Sequence, residues 1–409
     1  MIPLRKYNRQ MLPAPVFIVS AARTPIGRYG GAFRDVHPAE LGAVAARAAI
    51  ERAALTGEAV DDVLVGHARQ AGSGPNPARQ VLRRAGLPDR VPATTVNKAC
   101  ASGMEAVAAG ARAIALGESD IVLAGGIESM SRMPYLIDAV DARWGHRMGN
   151  FQLVDAMYRD GFTCSLCGLV MGETAEILAR EYDITREASD AFALDSQQKT
   201  ARAIAARAFD AELAPVTVQG SKGQTVTTAD EHPRSETTLA GLSKLAPVFE
   251  HDGTPGIITA GSASGVTDGG AAVILAGVDA VSEHRLQPMA RILGWASAGV
   301  DPRRMGIGPV PAVRTLLEHL SMRLEDFDLV ELNEAFAPQV LAVLSDLPID
   351  PSRLNVNGGA IALGHPIGCT GTRILVTLVH AMRARHARLG LATLCVSGGM
   401  GMAMAIETT

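Results

Sequence analysis

The chain has 409 residues, 47% apolar and 4% aromatic, and a formal net charge of −4. That length predicts about two or three domains with a large core, and the apolar share excludes extensive disorder. With no long charged run, nucleic acid is excluded as an expected partner, whereas an anionic small ligand held by local basic side chains is not.

In chain order, the start MIPLRKYNRQMLPAP carries Arg5, Lys6 and Arg9 but no apolar h-region, and is expected to be a mobile leader rather than a signal peptide. An apolar run predicts a buried strand over 16–20, helical spacing follows over 38–53, and a short strand is predicted over 63–66. A small-residue loop, VNKACASGMEA, feeds a helix over 101–116 that is apolar or small on nearly every face, so both sides are expected to be covered. A strand over 121–124 is then predicted to break at Gly125-Gly126.

The same order recurs near the C-terminus. A strand over 328–330 precedes an Asn-Gly-Gly and Gly-His-Pro loop; a helix over 370–385 and a strand over 392–396 follow, ending at Gly398-Gly399. The repeat predicts two related α/β halves placed face to face. Between them, 131–249 differs in texture, with Trp- and Met-containing pieces and a charged helix over 186–206, and is read as an insertion forming a lid or ligand platform. The expected boundaries are 1–131 and 250–285 for the first half, 132–249 for the insertion and 286–409 for the second half.

The five cysteines are Cys100, Cys164, Cys167, Cys369 and Cys395. An odd count in a chain of this length is no disulfide framework and argues for a reducing compartment, here the cytoplasm. No apolar run reaches membrane-spanning length, so no membrane partner is expected. Cys164 and Cys167 form one CxxC with no second pair and no redox-type βαβ context, and read as pocket or lid cysteines rather than a zinc or redox site.

Cys100 has two readings. It is a packing cysteine, or, beside a helix start whose free N–H groups favour the thiolate, it is a nucleophile with small neighbours that admit a substrate. His365 sits in the second repeat about where Cys100 sits in the first, so if the halves pair, a cysteine and a histidine meet. Asn333 after its strand reads as a helix cap or a site residue. Cys395 at the end of an apolar strand reads as core or as a second reactive thiol.

VNKACASGMEA, GGIESMS, NEAFA, NGGAIALGHPIG and CVSGGMGMA, in this order, resemble the thiolase family, as do SAARTPIGRYGGAF and TAGSASGVTDGGAA. The resemblance runs from about Val16 to the C-terminus. It implies the α/β thiolase fold, with two repeated βαβαβαββ halves in a five-layered αβαβα arrangement and an inserted loop domain. It implies an acyltransferase, acetyl-CoA C-acetyltransferase or C-acyltransferase, acting on acyl-CoA and free coenzyme A as substrates with no metal and no cofactor. In that scheme Cys100 takes the acyl group, His365 removes its proton, and Cys395 is the base and later the acid at the α-carbon. His365 and a water on Asn333 hold the enolate oxygen, and the N–H groups of Cys100 and Ser397 hold the tetrahedral oxyanion. Arg234, Phe249, Ser264 and Met171 match positions that contact coenzyme A in relatives. The segment 144–151 resembles the family's tetramerisation loop, implying a homotetramer built as a dimer of dimers.

Three residues depart from the pattern. Val170 stands where short-chain biosynthetic members carry His, which implies a greasier pocket. Ser397 replaces a Gly, so a side chain is expected to need room where φ is unusual. Ser262 replaces an Asn. Two rivals remain at this level: another Claisen-condensing enzyme of the same fold, which the presence of Cys395 disfavours, and a non-catalytic thiolase-like acyl-CoA- or lipid-binding protein, which would not need Cys100, His365 and Cys395 together.

Overall fold

The computed structural model describes residues 12–220, 223–251 and 253–409. The expected leader falls mainly on residues 1–11, outside the described residues. In the first half, β1 (Val16–Arg23), α1 (Pro38–Arg52), β2 (Asp62–His67), α2 (Pro77–Ala85), β3 (Ala93–Val96), α3 (Ser102–Ala115) and β4 (Ile121–Ser129) follow in order. Helices α4 (Met171–Glu181) and α5 (Arg186–Ala205) come next, before β5 (Thr267–Gly277) returns to the sheet. The second half is β6 (Ala290–Gly299), α6 (Pro309–Leu320), β7 (Leu329–Leu332), α7 (Ala337–Asp346), α8 (Ile367–Arg385), β8 (Leu389–Val396) and β9 (Met400–Thr408).

The strand order shows the duplication directly. In the first half it is β3-β2-β4-β5-β1, with β2 parallel to β3 and β4, and β5 antiparallel to β4 and β1. The second half runs β7-β8-β9-β6 with the same directions. The place of β3 is taken there by a single parallel bridge of Leu354 to Val330. A short antiparallel pairing, Phe17 with Arg291 and Ile18 with Ala290, joins the halves into one continuous sheet.

Five layers follow from which faces are apolar. Helices α1 and α2 cover one outer face, and α6 covers the other. Between the sheet halves lie α3 and α8, packed on each other and on strands of both. Nearly every side chain of α8 from Ile367 to Val379 is buried, as a helix without a polar face requires. Backbones approach closely here. A Cβ on Gly103 would stand 3.0 Å from the carbonyl of Gly368, so only glycine lets the first turns of α3 and α8 meet.

One expectation is corrected. Gly125-Gly126 is no break, because β4 runs through it to Ser129. A Cβ on Gly126 would stand 3.1 Å from the Cα of Gly103 and 2.9 Å from that of Cys369. The pair serves close approach, not a turn. Gly398 and Gly399, at φ of +88° and +85°, do turn the chain, between β8 and β9.

Helices α4 and α5 lean on the second half. α4 packs on Pro302–Ile307 and on α7, and α5 packs on α7 and on the short helix Ala360–Leu363. This seats Met171, the first residue of α4, over the end of β8.

Candidate active site

Cys100 and His365 occupy equivalent places. Each lies two residues before the first residue of its central helix, α3 or α8, and those two first turns touch. The chain reaches Cys100 through Ala99, which has a φ of +45°, a conformation that costs a β-carbon-bearing residue on the order of 1–3 kcal/mol. Local bonds hold this elbow. Asn97 Oδ1 accepts from the Ala99 N–H at 3.0 Å, and Ser102 Oγ donates to the Ala99 carbonyl at 2.7 Å while accepting from the Lys98 N–H.

The backbone N–H groups of Ser397 and of Cys100 itself lie near the Cys100 sulfur, where they favour its thiolate. Two amides from the two halves of the fold therefore come close to one sulfur. Those N–H groups favour the thiolate as expected, but burial outweighs them. Cys100 is 8% exposed, and burial pushes its thiol above the ordinary range despite those N–H groups and the Arg69 charge. At rest it is a thiol and needs a base.

His365 is suited to that task. Burial, then the charges of Arg373 and Arg69, hold its imidazolium down to a pKa of about 3, so the ring is neutral. Its Nδ1 lies 2.6 Å from Thr370 Oγ1, and that hydroxyl donates to the Pro366 carbonyl at 3.0 Å. With its proton so placed, the hydroxyl accepts from Nδ1–H, and Nε2 is left as the proton acceptor. Thr370 was not legible as a site residue, since it reads as one more helical position. Thr370→Val is expected to lower kcat about 10- to 100-fold by freeing the ring, with KM little changed. Steady-state kinetics check this, with Thr370→Ser restoring most of the rate.

Cys395 is buried among Met305, Ala335, Met171 and Phe336, and burial with the neighbouring Cys100 pushes its thiol far up. Sequence reasoning missed Met305 as part of this wall; nothing local marks it. Asn333 is 1% exposed, and neither its Oδ1 nor its Nδ2 meets a protein partner. An orphaned buried amide costs about 1–3 kcal/mol unless a water or ligand satisfies it. Ser397 fits without strain. The positive φ values fall on Gly398 and Gly399 instead, which corrects the expected conflict. Ser262 is fully buried, and its Oγ accepts from the Thr259 N–H at 2.9 Å, closing a local turn.

The expected coenzyme A contacts divide. Met171 touches the Cys395 cluster, and Ser264 is tied to Ala335 by its N–H at 3.0 Å. Phe249 lies over Gly172 and lines a cavity of about 580 Å³ with Cys167, Leu169, Ile177 and Arg303. Arg234 lies apart, in a separate cavity of about 300 Å³ with His232, Thr238 and Leu245. Cys164 and Cys167 stand at the turn beside the first cavity. Among the described residues no group of three or more His, Cys, Asp or Glu is placed to hold a metal ion, and no helix is long and apolar enough to cross a membrane.

A duplicated α/β scaffold that sets a buried cysteine and a neutral imidazole at its two central helix starts, with a second buried thiol beside that cysteine, has the groups an acyl-transfer enzyme needs. The thiolase N-terminal domain family matches residues 16–279 and the thiolase C-terminal domain family residues 286–408. The acetyl-CoA acetyltransferase of Escherichia coli (strain K12) is 50% identical over 390 residues, covering 95% of this chain and 98% of that protein. The beta-ketoadipyl-CoA thiolase of Pseudomonas knackmussii is 48% identical over 402 residues, covering 96% of this chain and 98% of that one. Human mitochondrial 3-ketoacyl-CoA thiolase is 44% identical in its crystal structure and superposes with a TM-score of 0.93, covering 97% of this chain and 100% of that one. The chain belongs to the thiolase family, and its function is that of a thiolase.

Proposed function

We propose that the protein cleaves 3-oxoacyl-CoA with coenzyme A, and runs the reverse Claisen condensation, through an acyl group carried on Cys100. The observation that carries this reading is that the Cys395 thiol and the Ser397 N–H, both from the second half, lie close to the Cys100 sulfur.

In the condensing direction, His365 Nε2 takes the Cys100 proton and the thiolate attacks the thioester carbonyl. The oxyanion forms against the two amides, and the imidazolium returns the proton to the departing coenzyme A sulfur. Cys395 then passes its proton to the neutral His365 ring and, as the thiolate, removes the α-proton of a second acetyl-CoA; the ring proton returns to the Cys100 sulfur when that sulfur leaves. The enolate oxygen lies against His365 and a water on Asn333, whose unpartnered amide supports that place. The carbanion attacks the acyl carbonyl, and Cys100 leaves. Thioester, thiols and imidazole supply every group in this sequence, so no cofactor is invoked and coenzyme A is a substrate. In the same reading, Arg234 pairs with an anionic group of coenzyme A, and Phe249, Ser264 and Met171 line its path.

The relatives' names span acetyl, ketoadipyl and general ketoacyl substrates, so the acyl group must be argued from this chain. Val170 presents a half-buried apolar surface at the start of α4, next to Leu169 on the cavity wall. This supports acyl groups longer than acetoacetyl. Rates measured on 3-oxoacyl-CoA from four to sixteen carbons are expected to stay high beyond four; turnover of the four-carbon substrate alone would refute the wider pocket. The homotetramer is proposed on exposed Trp144, Met148 and Phe151, at 82%, 91% and 47% exposure, and four-chain against two-chain mass in solution decides it. The boundaries 1–131 with 250–285, 132–249 and 286–409, and a cytoplasmic location, complete the reading.

A further inference from the structure

The pair Cys164 and Cys167 takes no part in the chemistry above, yet the fold holds both in one tight turn. Thr163 bridges Val170 across it, the Cys164 N–H donates to the Leu169 carbonyl at 2.8 Å, and the Gly168 N–H donates to the Cys164 carbonyl at 2.8 Å. Gly168, at a φ of +74°, closes the turn. The two thiols are neighbours, close enough for Cys164, after burial, to raise the Cys167 thiol. Cys164 is 4% exposed, while Cys167 is partly open and lines the 580 Å³ cavity beside Leu169 and Phe249. At the tip, Leu166 lies over the loop that follows Cys395, since a Cβ on Gly398 would meet its Cδ1 at 3.9 Å. The turn runs directly into Val170 and Met171, and Met171 touches Cys395.

We propose that Cys164 and Cys167 form a reversible disulfide that resets this turn and so regulates access of longer acyl chains to the site. The oxidant is a low-molecular-weight disulfide. The thiolate of the accessible Cys167 attacks one sulfur of the oxidant, forming a mixed disulfide and releasing one thiolate. Cys164 as thiolate then attacks Cys167 sulfur, closing the intrachain bond and releasing the second. The two cysteine protons end on the two released thiolates, so the protein loses two hydrogens and the oxidant gains them. Cys164 and Cys167 are three apart in a non-helical turn, and their Cβ atoms must come to a fixed separation for the sulfurs to bond. A disulfide needs about 3.5–4.5 Å. Closing the bond draws Cys167 toward the buried Cys164 and off the cavity wall, and moves Leu166 and Leu169 with it.

The test equilibrates the full-length protein in buffers from fully reduced to fully oxidised glutathione, quenches with acid, alkylates and maps peptides by mass. The expected result is a Cys164–Cys167 disulfide that forms and reverses with the buffer while Cys100 remains alkylatable. No intrachain bond in the most oxidising buffer, or a mixed disulfide on Cys167 that Cys164 never resolves, overturns the proposal. The kinetic arm rests on the thiolase reading and the mapping arm does not, so their failures are distinguishable. Oxidised protein is expected to lose about tenfold in kcat/KM on long-chain 3-oxoacyl-CoA, the scale of a displaced methylene contact, with the four-carbon substrate changed less than about twofold. Cys164→Ser is expected to abolish that response. An oxidised pair with unchanged long-chain rates, or a response that survives in Cys164→Ser, overturns the regulatory claim.

Discussion

Replacing Cys100 by serine is expected to lower turnover by on the order of 10⁴-fold or more while leaving the fold and acyl-CoA binding intact. Serine keeps the shape and the same two neighbouring amides, so the elbow at Ala99 and the start of α3 need not move. The lost quantity is a sulfur nucleophile that His365 can deprotonate. The pH dependence follows from the two shifts. Burial raises the Cys100 thiol above its ordinary value, so alkylation of Cys100 in the wild type is expected to reach half its maximum above about pH 8.5, where a free thiol is half ionised. His365, with its pKa of about 3, stays neutral down to strongly acidic solution, so its protonation does not switch the enzyme off between pH 5 and 7. Turnover in Cys100→Ser near the wild-type rate would contradict Cys100 as the nucleophile, and lipid binding as the protein's sole activity would favour the non-catalytic rival.

The second large effect is a split between half-reactions. Cys395→Ala is expected to leave the acylation of Cys100 within about tenfold, and to lower carbon–carbon bond formation by about 10²- to 10⁴-fold, the usual contribution of a positioned base. The reason lies in what surrounds each sulfur. Cys100 has the two amides that stabilise an oxyanion, whereas Cys395 has an apolar wall of Met305, Ala335, Met171 and Phe336. An apolar wall makes a thiolate costly and strongly basic, which suits proton abstraction from a weak carbon acid. Incubation with acetyl-CoA followed by mass analysis of the Cys100 peptide checks acylation, and condensation is followed separately. Failure of both half-reactions in this variant would contradict the division of labour.

The candidate groups stand out in the sequence because each sits in a loop of glycines and small residues next to an apolar strand or helix, a setting in which Cys100, His365, Asn333 and Cys395 are conspicuous by residue type. The duplication was legible for the same reason, and the strand order repeats in both halves. What escaped depends on partners distant in the chain. Gly125-Gly126 looks locally like a turn, and only the backbones of Gly103 and Cys369 explain why it is not one. The tautomer of His365 depends on Thr370, and helical periodicity does not distinguish that hydroxyl from a buried cap. The protonation state of Cys100 depends on burial, which outweighs the pull of the helix start and leaves the thiol in need of a base.

Glu128 illustrates how the halves are locked together. Its buried carboxylate accepts from the Gly368 N–H at the start of α8 at 2.9 Å and from the Arg69 N–H just past β2 at 3.2 Å, tying the start of α8 to the first half. The chemistry depends on that registration, because its nucleophile and its base lie on opposite sides of it.

The most direct measurement is a crystal structure of the acetylated protein soaked with coenzyme A. The account predicts acetyl on the Cys100 sulfur, its oxygen against the N–H groups of Cys100 and Ser397, and the Cys395 sulfur within about 3–3.5 Å of the methyl carbon position where the new bond forms. An acetyl group on another residue, or a Cys395 thiol walled off from it, would contradict the account.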